Sequence, residues 1–95
     1  MPYYVLLTRL APGVAKSAEE IQRLSKKVSE ELKKSCPECR WIANYVVMGP
    51  YDYLDIFEVP NEQMAMKVSM IVRTVGNAST ETWALVPWEK AFEGG

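Results

Sequence analysis

Two cysteines three residues apart, two carboxylates three residues apart and a set of strand-borne aromatics are the groups in this sequence that could do chemistry. Cys36 and Cys39 enclose Pro37-Glu38 as a Cys-x-x-Cys unit. A redox pair of this spacing works at a helix N-terminus, where the helix dipole lowers the thiolate pKa. Here the unit follows a helical stretch, so the dipole acts in the opposite sense and only Lys33 and Lys34 offset it. The plainer alternative is a turn whose two thiols can close a local disulfide. A structural zinc site takes four ligands. The chain has no His and no third Cys, so no metal is expected.

Asp52 follows Tyr51 in the loop Gly49-Pro50-Tyr51-Asp52. It is either an acid, a base or a ligand contact, or it bonds nearby backbone N–H groups and holds the turn. Tyr51 likewise either anchors a ligand or packs in an interface. Asp55 lies mid-strand between Tyr53 and Phe57. A carboxylate buried there needs a partner or takes a raised pKa. Arg9 and Arg40 are the candidate partners, and the other reading is the polar spot of a ligand pocket. Tyr4, Trp41, Tyr45, Tyr53 and Trp83 either line a cleft for a planar ligand or serve as core and interface.

The absence of His removes the commonest general base at neutral pH. It also removes His-supported nucleophiles and His-ligated haem. Any catalysis falls to Asp, Glu, Tyr, Lys, Arg or Cys, and no catalytic residue stands out. No phosphate loop or Gly-x-Gly-x-x-Gly is present, and no cofactor is expected.

The elements that must position these groups are legible. Tyr3 to Leu10 is a strand ended by Ala11-Pro12-Gly13. Ser17-Ala18-Glu19-Glu20 matches a capping box, and Ile21, Leu24, Val28 and Leu32 recur at helical spacing behind it. This helix is expected from about residue 18 to 34, stopped by Pro37. Arg40 to Met48 and Tyr53 to Val59 form a hairpin across the Gly49 loop. Asn61 caps a second helix, whose core stripe is Met64, Val68, Ile71, Val72 and Val75; Met66 and Met70 lie off it. Gly76-Asn77 ends that helix, both residues tolerating a left-handed backbone. Thr80 to Val86 is the last strand, and Trp88 to Phe92 a short terminal helix.

The order β-α-β-β-α-β predicts an α+β, ferredoxin-like sandwich: a four-stranded antiparallel sheet with two helices on one face. One domain is expected over 1–93, with a disordered tail at 94–95. In three of the strands both alternating sets of side chains are mostly apolar. Two helices cover only one face, and a wet second face should read as polar. The leftover patch exceeds what monomers usually expose, and each large side chain covered contributes about 1.5–3 kcal/mol. A homodimer packed sheet to sheet is therefore expected, with Tyr53, Asp55 and Phe57 facing the gap between the sheets. The competing arrangement folds Trp88 to Phe92 back over that face.

The sequence resembles the GYD domain family in three segments: Gly49, Tyr51 and Asp52; the opening Pro2 to Leu10; and Gly76-Asn77 followed by Thr80-Glu81-Thr82. It departs from the family at Ser35-Cys36-Pro37-Glu38-Cys39, where a Gly-containing turn is usual, and at Trp83, an expected aliphatic. The resemblance implies a dimeric α/β barrel of ferredoxin-like protomers and no defined activity. Folds of this kind host unrelated functions.

Charge narrows the field further. A net charge of −1 with scattered basic residues lacks the stripe that neutralises phosphates, so no nucleic-acid partner is expected. No apolar run reaches membrane-spanning length, and Met1 to Val5 does not read as a signal peptide; the expected location is the cytoplasm. The leading expectation is a small-molecule-binding or regulatory domain without catalysis, its apolar or aromatic ligand sitting between sheet and helices near Tyr51 and Asp52. The alternatives are a cofactor-independent oxygenase or isomerase acting on a small aromatic substrate, and a purely structural interaction module.

Overall fold

The computed structural model describes residues 1–94. Strand β1 spans Tyr3–Leu10, helix α1 Ala18–Ser35, β2 Arg40–Val46, β3 Tyr53–Glu58, α2 Glu62–Val75 and β4 Ala78–Leu85, and a short 3-10 turn covers Trp88–Lys90. The strands form one antiparallel sheet in the order β2-β3-β1-β4, the ferredoxin-like arrangement expected from the sequence. Of the tail expected at 94–95, Gly95 lies outside the described residues. No helix among the described residues is long and apolar enough to cross a membrane.

Local signals set the helix ends. The Ser17 hydroxyl accepts from the Glu20 N–H at 3.2 Å, and the Glu20 carboxylate reaches back to the Lys16 N–H. The Asn61 side-chain oxygen accepts from the Met64 N–H at 2.9 Å. The Ser17 and Asn61 bonds satisfy donors that the first helical turn leaves unpaired, and the Glu20 bond secures the residue before the cap. The end of α2 differs from expectation. Asn77 alone takes the left-handed conformation, at φ 48°, while Gly76 stays right-handed. Gly76 is required for space instead, since a Cβ there would lie 2.4 Å from the Val72 carbonyl oxygen.

The core lies between the sheet and α2. Tyr4, Leu6 and Phe57 from the sheet meet Leu32, Ala65, Val68 and Val72 from the helices. Phe57 is fully buried and stacks between Tyr4 and Trp41, with ring centroids 5.7 and 5.2 Å away. Met64 and Ile71 pack against this core, whereas Met66 and Met70 are exposed, as their place off the stripe predicts.

The two helices sit differently on the sheet. α2 packs closely on β4 and β1, with Ser69 and Thr80 sharing a 2.7 Å hydrogen bond. α1 rests on α2, and none of its Cα atoms comes within 8 Å of a strand Cα. It is raised off the β2–β3 half of the sheet.

Register corrects the expectation about which way β3 faces. Tyr53, Asp55 and Phe57 lie opposite Thr8, Leu6 and Tyr4, and Tyr4, Leu6 and Phe57 are in the core with the helices. These residues therefore face the helices and not a second sheet. In β2 a bulge at Ile42 breaks the alternation: Trp41 pairs with Phe57, but Ala43 pairs with Ile56. Trp41 thus joins Asn44 on the helix side, while Ala43 and Tyr45 point away. The face left without helices carries Tyr3, Val5, Leu7, Ala43, Tyr45, Leu54, Ile56, Trp83 and Leu85, with Arg9, Arg40, Glu58, Ser79 and Glu81 toward its edges and ends. It is apolar at the centre and polar at the rim, and Val5 and Leu7 are already buried within the single chain. Trp88 and Phe92 pack edge to face on each other and remain 78% and 71% exposed, so they are not buried against it.

Candidate functional site

The raised position of α1 leaves a cavity of about 450 Å³ between its inner face and the sheet. Ile21, Leu24, Val28 and Leu32 line it from above, and Leu6, Leu10 and Ala78 from below. Trp41, Asn44, Tyr53 and Asp55 form the wall on β2 and β3, with Thr8, Ser25 and Ser29 adding hydroxyls. The stripe that makes α1 amphipathic is thus spent on roofing a hollow, and Leu32 alone on that helix is buried.

Asp55 is the one charged side chain in the lining. Asn44 stands directly opposite it on β2 and Leu6 on β1. Among the described residues no side chain bonds to the Asp55 carboxylate. The sequence offered Arg9 and Arg40 as partners, and neither fills the role. Arg40 pairs with Glu58 at 3.1 Å. Arg9 donates to the Pro50 carbonyl and lies 5.4 Å from the centre of the Tyr51 ring. Burial without a counter-charge pushes the Asp55 carboxyl up to about 6. Burial, with the nearby Asp52 and Asp55 charges behind it, also raises the Tyr53 phenol.

The signature loop is built as a brace. Gly49 adopts φ 145°, a conformation that L side chains rarely enter. The Asp52 N–H donates to the Thr8 carbonyl at 2.8 Å, its carbonyl accepts from the Val47 N–H at 2.9 Å, and its carboxylate accepts from the Leu10 N–H at 2.8 Å. Asp52 thereby ties the hairpin to the end of β1. Asp52→Ala should cost about 1–2 kcal/mol by stranding the Leu10 N–H, and Asp52→Asn distinctly less, because an amide oxygen still accepts. Urea unfolding midpoints at unchanged slope measure both.

Tyr51 turns toward the helix-free side, where its hydroxyl donates to the Glu81 carboxylate, which also accepts from the Trp83 indole at 3.1 Å. That bond raises the Tyr51 phenol and lowers the Glu81 carboxyl. Of the aromatics and acids singled out in the sequence, only Tyr53, Asp55 and Trp41 meet at the cavity. Tyr4 is core; Tyr45 and Trp83 lie on the opposite face, 57% and 52% exposed. Asn44 was missed, although its presence in an apolar strand, where Asn is disfavoured, was a usable signal.

Cys36 and Cys39 are free thiols at the end of α1. Cys36 is buried in the core, and the Cys39 N–H donates to the Cys36 carbonyl at 3.1 Å, closing a tight turn. Burial raises both thiols, Cys39 to about 11, with Lys67 lowering Cys36 in part. Thiols so held stay protonated near neutral pH, which suits packing better than exchange chemistry.

Comparison with known proteins bears on this arrangement. Residues 4–93 match the GYD domain. The chain belongs to the GYD domain family. This GYD domain is 25% identical over 87 residues to a Thermus thermophilus protein named "Glutamine synthetase and cystathionine beta-lyase binding protein", spanning 92% of this chain and 90% of that one. Among solved structures it resembles the leucine response regulatory protein of Mycobacterium tuberculosis, with a TM-score of 0.61 at 12% identity, over 90% of this chain and 51% of that one. An Arabidopsis thaliana protein gives a TM-score of 0.57 at 15% identity, over 92% of this chain and 95% of the other. The GYD domain spans about half the length of the first regulators it resembles. At these identities the structural likeness is one of fold alone.

Proposed function

We propose that this GYD domain is a non-catalytic, small-molecule-binding regulatory unit that acts as a sheet-to-sheet homodimer. The observation that carries the reading is the cavity of about 450 Å³ under α1, apolar except for one carboxylate and a few neutral polar groups. Sites for small ligands are concave, mostly apolar and equipped with few convergent polar groups. A tightly filled interior would have argued for a purely structural module. The Thermus thermophilus relative is named as a protein that binds two enzymes, which supports an output through protein contact. The ligand site sits on the helix side of the sheet at Tyr53 and Asp55, further from Tyr51 and Asp52 than the sequence suggested.

The dimer rests on the helix-free face, whose apolar centre includes the exposed Tyr45 and Trp83 and is not buried by Trp88 or Phe92. Sedimentation should give a species of twice 10.8 kDa at micromolar concentration, and Leu54→Lys, which sets a cation amid that face, should give the single chain. A wild-type monomer would end the dimeric reading. For the ligand site, binding of a neutral apolar dye such as Nile red should be lost when Val28→Trp fills the space under α1, with the circular dichroism spectrum unchanged. Dye binding that persists in a folded Val28→Trp variant would remove the cavity as the site.

A second reading draws on one observation. A carboxyl near 6 in an apolar hollow is suited to general-base work near neutral pH. A cofactor-independent oxygenase or isomerase acting on a small aromatic substrate would use Asp55 this way. Oxygen consumption or isomerisation of an electron-rich phenol, abolished by Asp55→Asn, separates it from binding without turnover.

A further inference from the structure

Building on the reading of this cavity as a ligand site, we propose that it selects a compact apolar ligand bearing one hydrogen-bond-donating nitrogen, an apolar amine above all, and turns carboxylates away. The inference starts from what the lining lacks. No Lys or Arg faces the cavity, although α1 alone carries Arg23, Lys26, Lys27, Lys33 and Lys34. Arg40 is held by Glu58, and Arg9 by the signature loop. A carboxylate ligand would enter an apolar space with no counter-charge and meet a second anion there, a combination that burial penalises heavily.

The same lining is suited to a donor. An ionised carboxylate is acceptor-only, and Asp55 has no side-chain donor of its own among the described residues. Its cross-strand neighbour Asn44 supplies a second acceptor and two donors. An ammonium or amide N–H placed between them would satisfy Asp55 with a charge-assisted bond, stronger than a neutral one. The rings of Trp41 and Tyr53 line the same wall, and aromatic faces attract cations as well as flat apolar bodies. Leu6, Leu24 and Val28 would hold the rest of the molecule.

The groups facing Asp55 also determine the pH response. Leu6 and Thr8 on β1, Asn44 on β2, and Ser25, Val28 and Ser29 on α1 do not titrate near neutral pH. Tyr53, its neighbour on β3, is pushed further above neutrality. Asp55 therefore governs the window alone, near its value of about 6. A permanently charged amine should lose about tenfold in affinity from about pH 8 to about pH 5, as the carboxylate takes up its proton.

The test is an NMR titration of the full chain with phenethylamine, phenylacetamide and phenylacetate, three probes with a common ring. The Asn44 side-chain amide and the Trp41 indole N–H report on the cavity. Phenethylamine should bind tightest and phenylacetate about tenfold or more weaker, in keeping with a lost charge-assisted bond. Asp55→Asn should bring the amine down by a similar factor and leave phenylacetamide within about twofold. Phenylacetate binding as well as the amine, or amine binding indifferent to Asp55→Asn, overturns the ligand class while leaving the cavity as a binding site. If none of the three probes perturbs cavity resonances and Nile red does not bind either, the reading on which the proposal rests falls with it. Should Asp55→Asn fail to fold, the pH series on the wild-type chain decides: an amine affinity flat across that range overturns the proposal.

Discussion

Phe57→Ala should leave this domain close to unfolding at room temperature. Phe57 is fully buried in a central strand, with Tyr4 on one side and Trp41 on the other. Truncating such a ring loses both its transfer energy and the contacts of the walls around the void, together about 3–5 kcal/mol. A 95-residue domain commands about 5–14 kcal/mol in total, so the loss takes a large share of it. The neighbours are poorly placed to collapse into the hole, because Tyr4 and Trp41 are fixed to separate strands and Val59 and Val68 are themselves fully buried. Urea unfolding followed by circular dichroism reads the effect. Phe92→Ala is the control: that ring is exposed and touches Trp88, and its loss should stay within about 0.5 kcal/mol. A Phe57→Ala protein as stable as the control would mean that the core is not where the sheet register puts it.

The second large effect is a dependence of stability on pH opposite in sign to the usual carboxylate behaviour. An unfolded Asp titrates near 3.9, and Asp55 in the folded chain is held up to about 6 by burial. Between these values the folded state binds more protons than the unfolded one, so stability falls as pH rises through that window and is flat above it. A fully shielded carboxyl moved that far is worth just under 3 kcal/mol. The cavity mouth admits water, and screening reduces this to about 1–2 kcal/mol. The Glu81 carboxyl, lowered by its hydrogen bonds to Tyr51 and Trp83, pulls the opposite way at low pH. The measurement is therefore a difference. Asp55→Asn should be more stable than wild type at pH 7 by about 1–2 kcal/mol, and the gap should close near pH 4. A gap that is constant with pH would mean that Asp55 is solvated or paired.

How much of this was legible depends on where each residue sits. The element order, both helix caps and the apolar stripes were readable, because a hydroxyl or amide before a helix and a 3.6-residue period are local signals. The facing of β3 was not. Leu54 and Ile56 on one side, and Tyr53 and Phe57 on the other, are both apolar, so alternation alone names no core side. Tyr4 and Phe57 show the answer only through pairing across strands. The Ile42 bulge carries no Gly or Pro to announce it, so simple alternation would put Trp41 on the same face as Tyr45, where the register does not. The cavity was invisible for a different cause. Ile21, Leu24 and Val28 read the same whether their helix rests on a sheet or stands clear of it, and the height of α1 is set by its packing on α2. Asp52 admits both readings in the sequence, and its bonds to Thr8 and Leu10 of β1 and to Val47 just past β2 identify it as a brace.

The extra residue at Ile42 has a consequence for how such chains can diverge. β2 is an edge strand, and a kink there spoils the flat hydrogen-bonding rim that invites unwanted partners. It also sets which side chain of the strand enters the hollow. Closing the bulge at constant length would put Ile42 opposite Phe57 and turn Trp41 out of the hollow, whereas deleting Ile42 would restore simple alternation with Trp41 still opposite Phe57. Pairing at this one point thus decides both what the domain holds and what it presents outward.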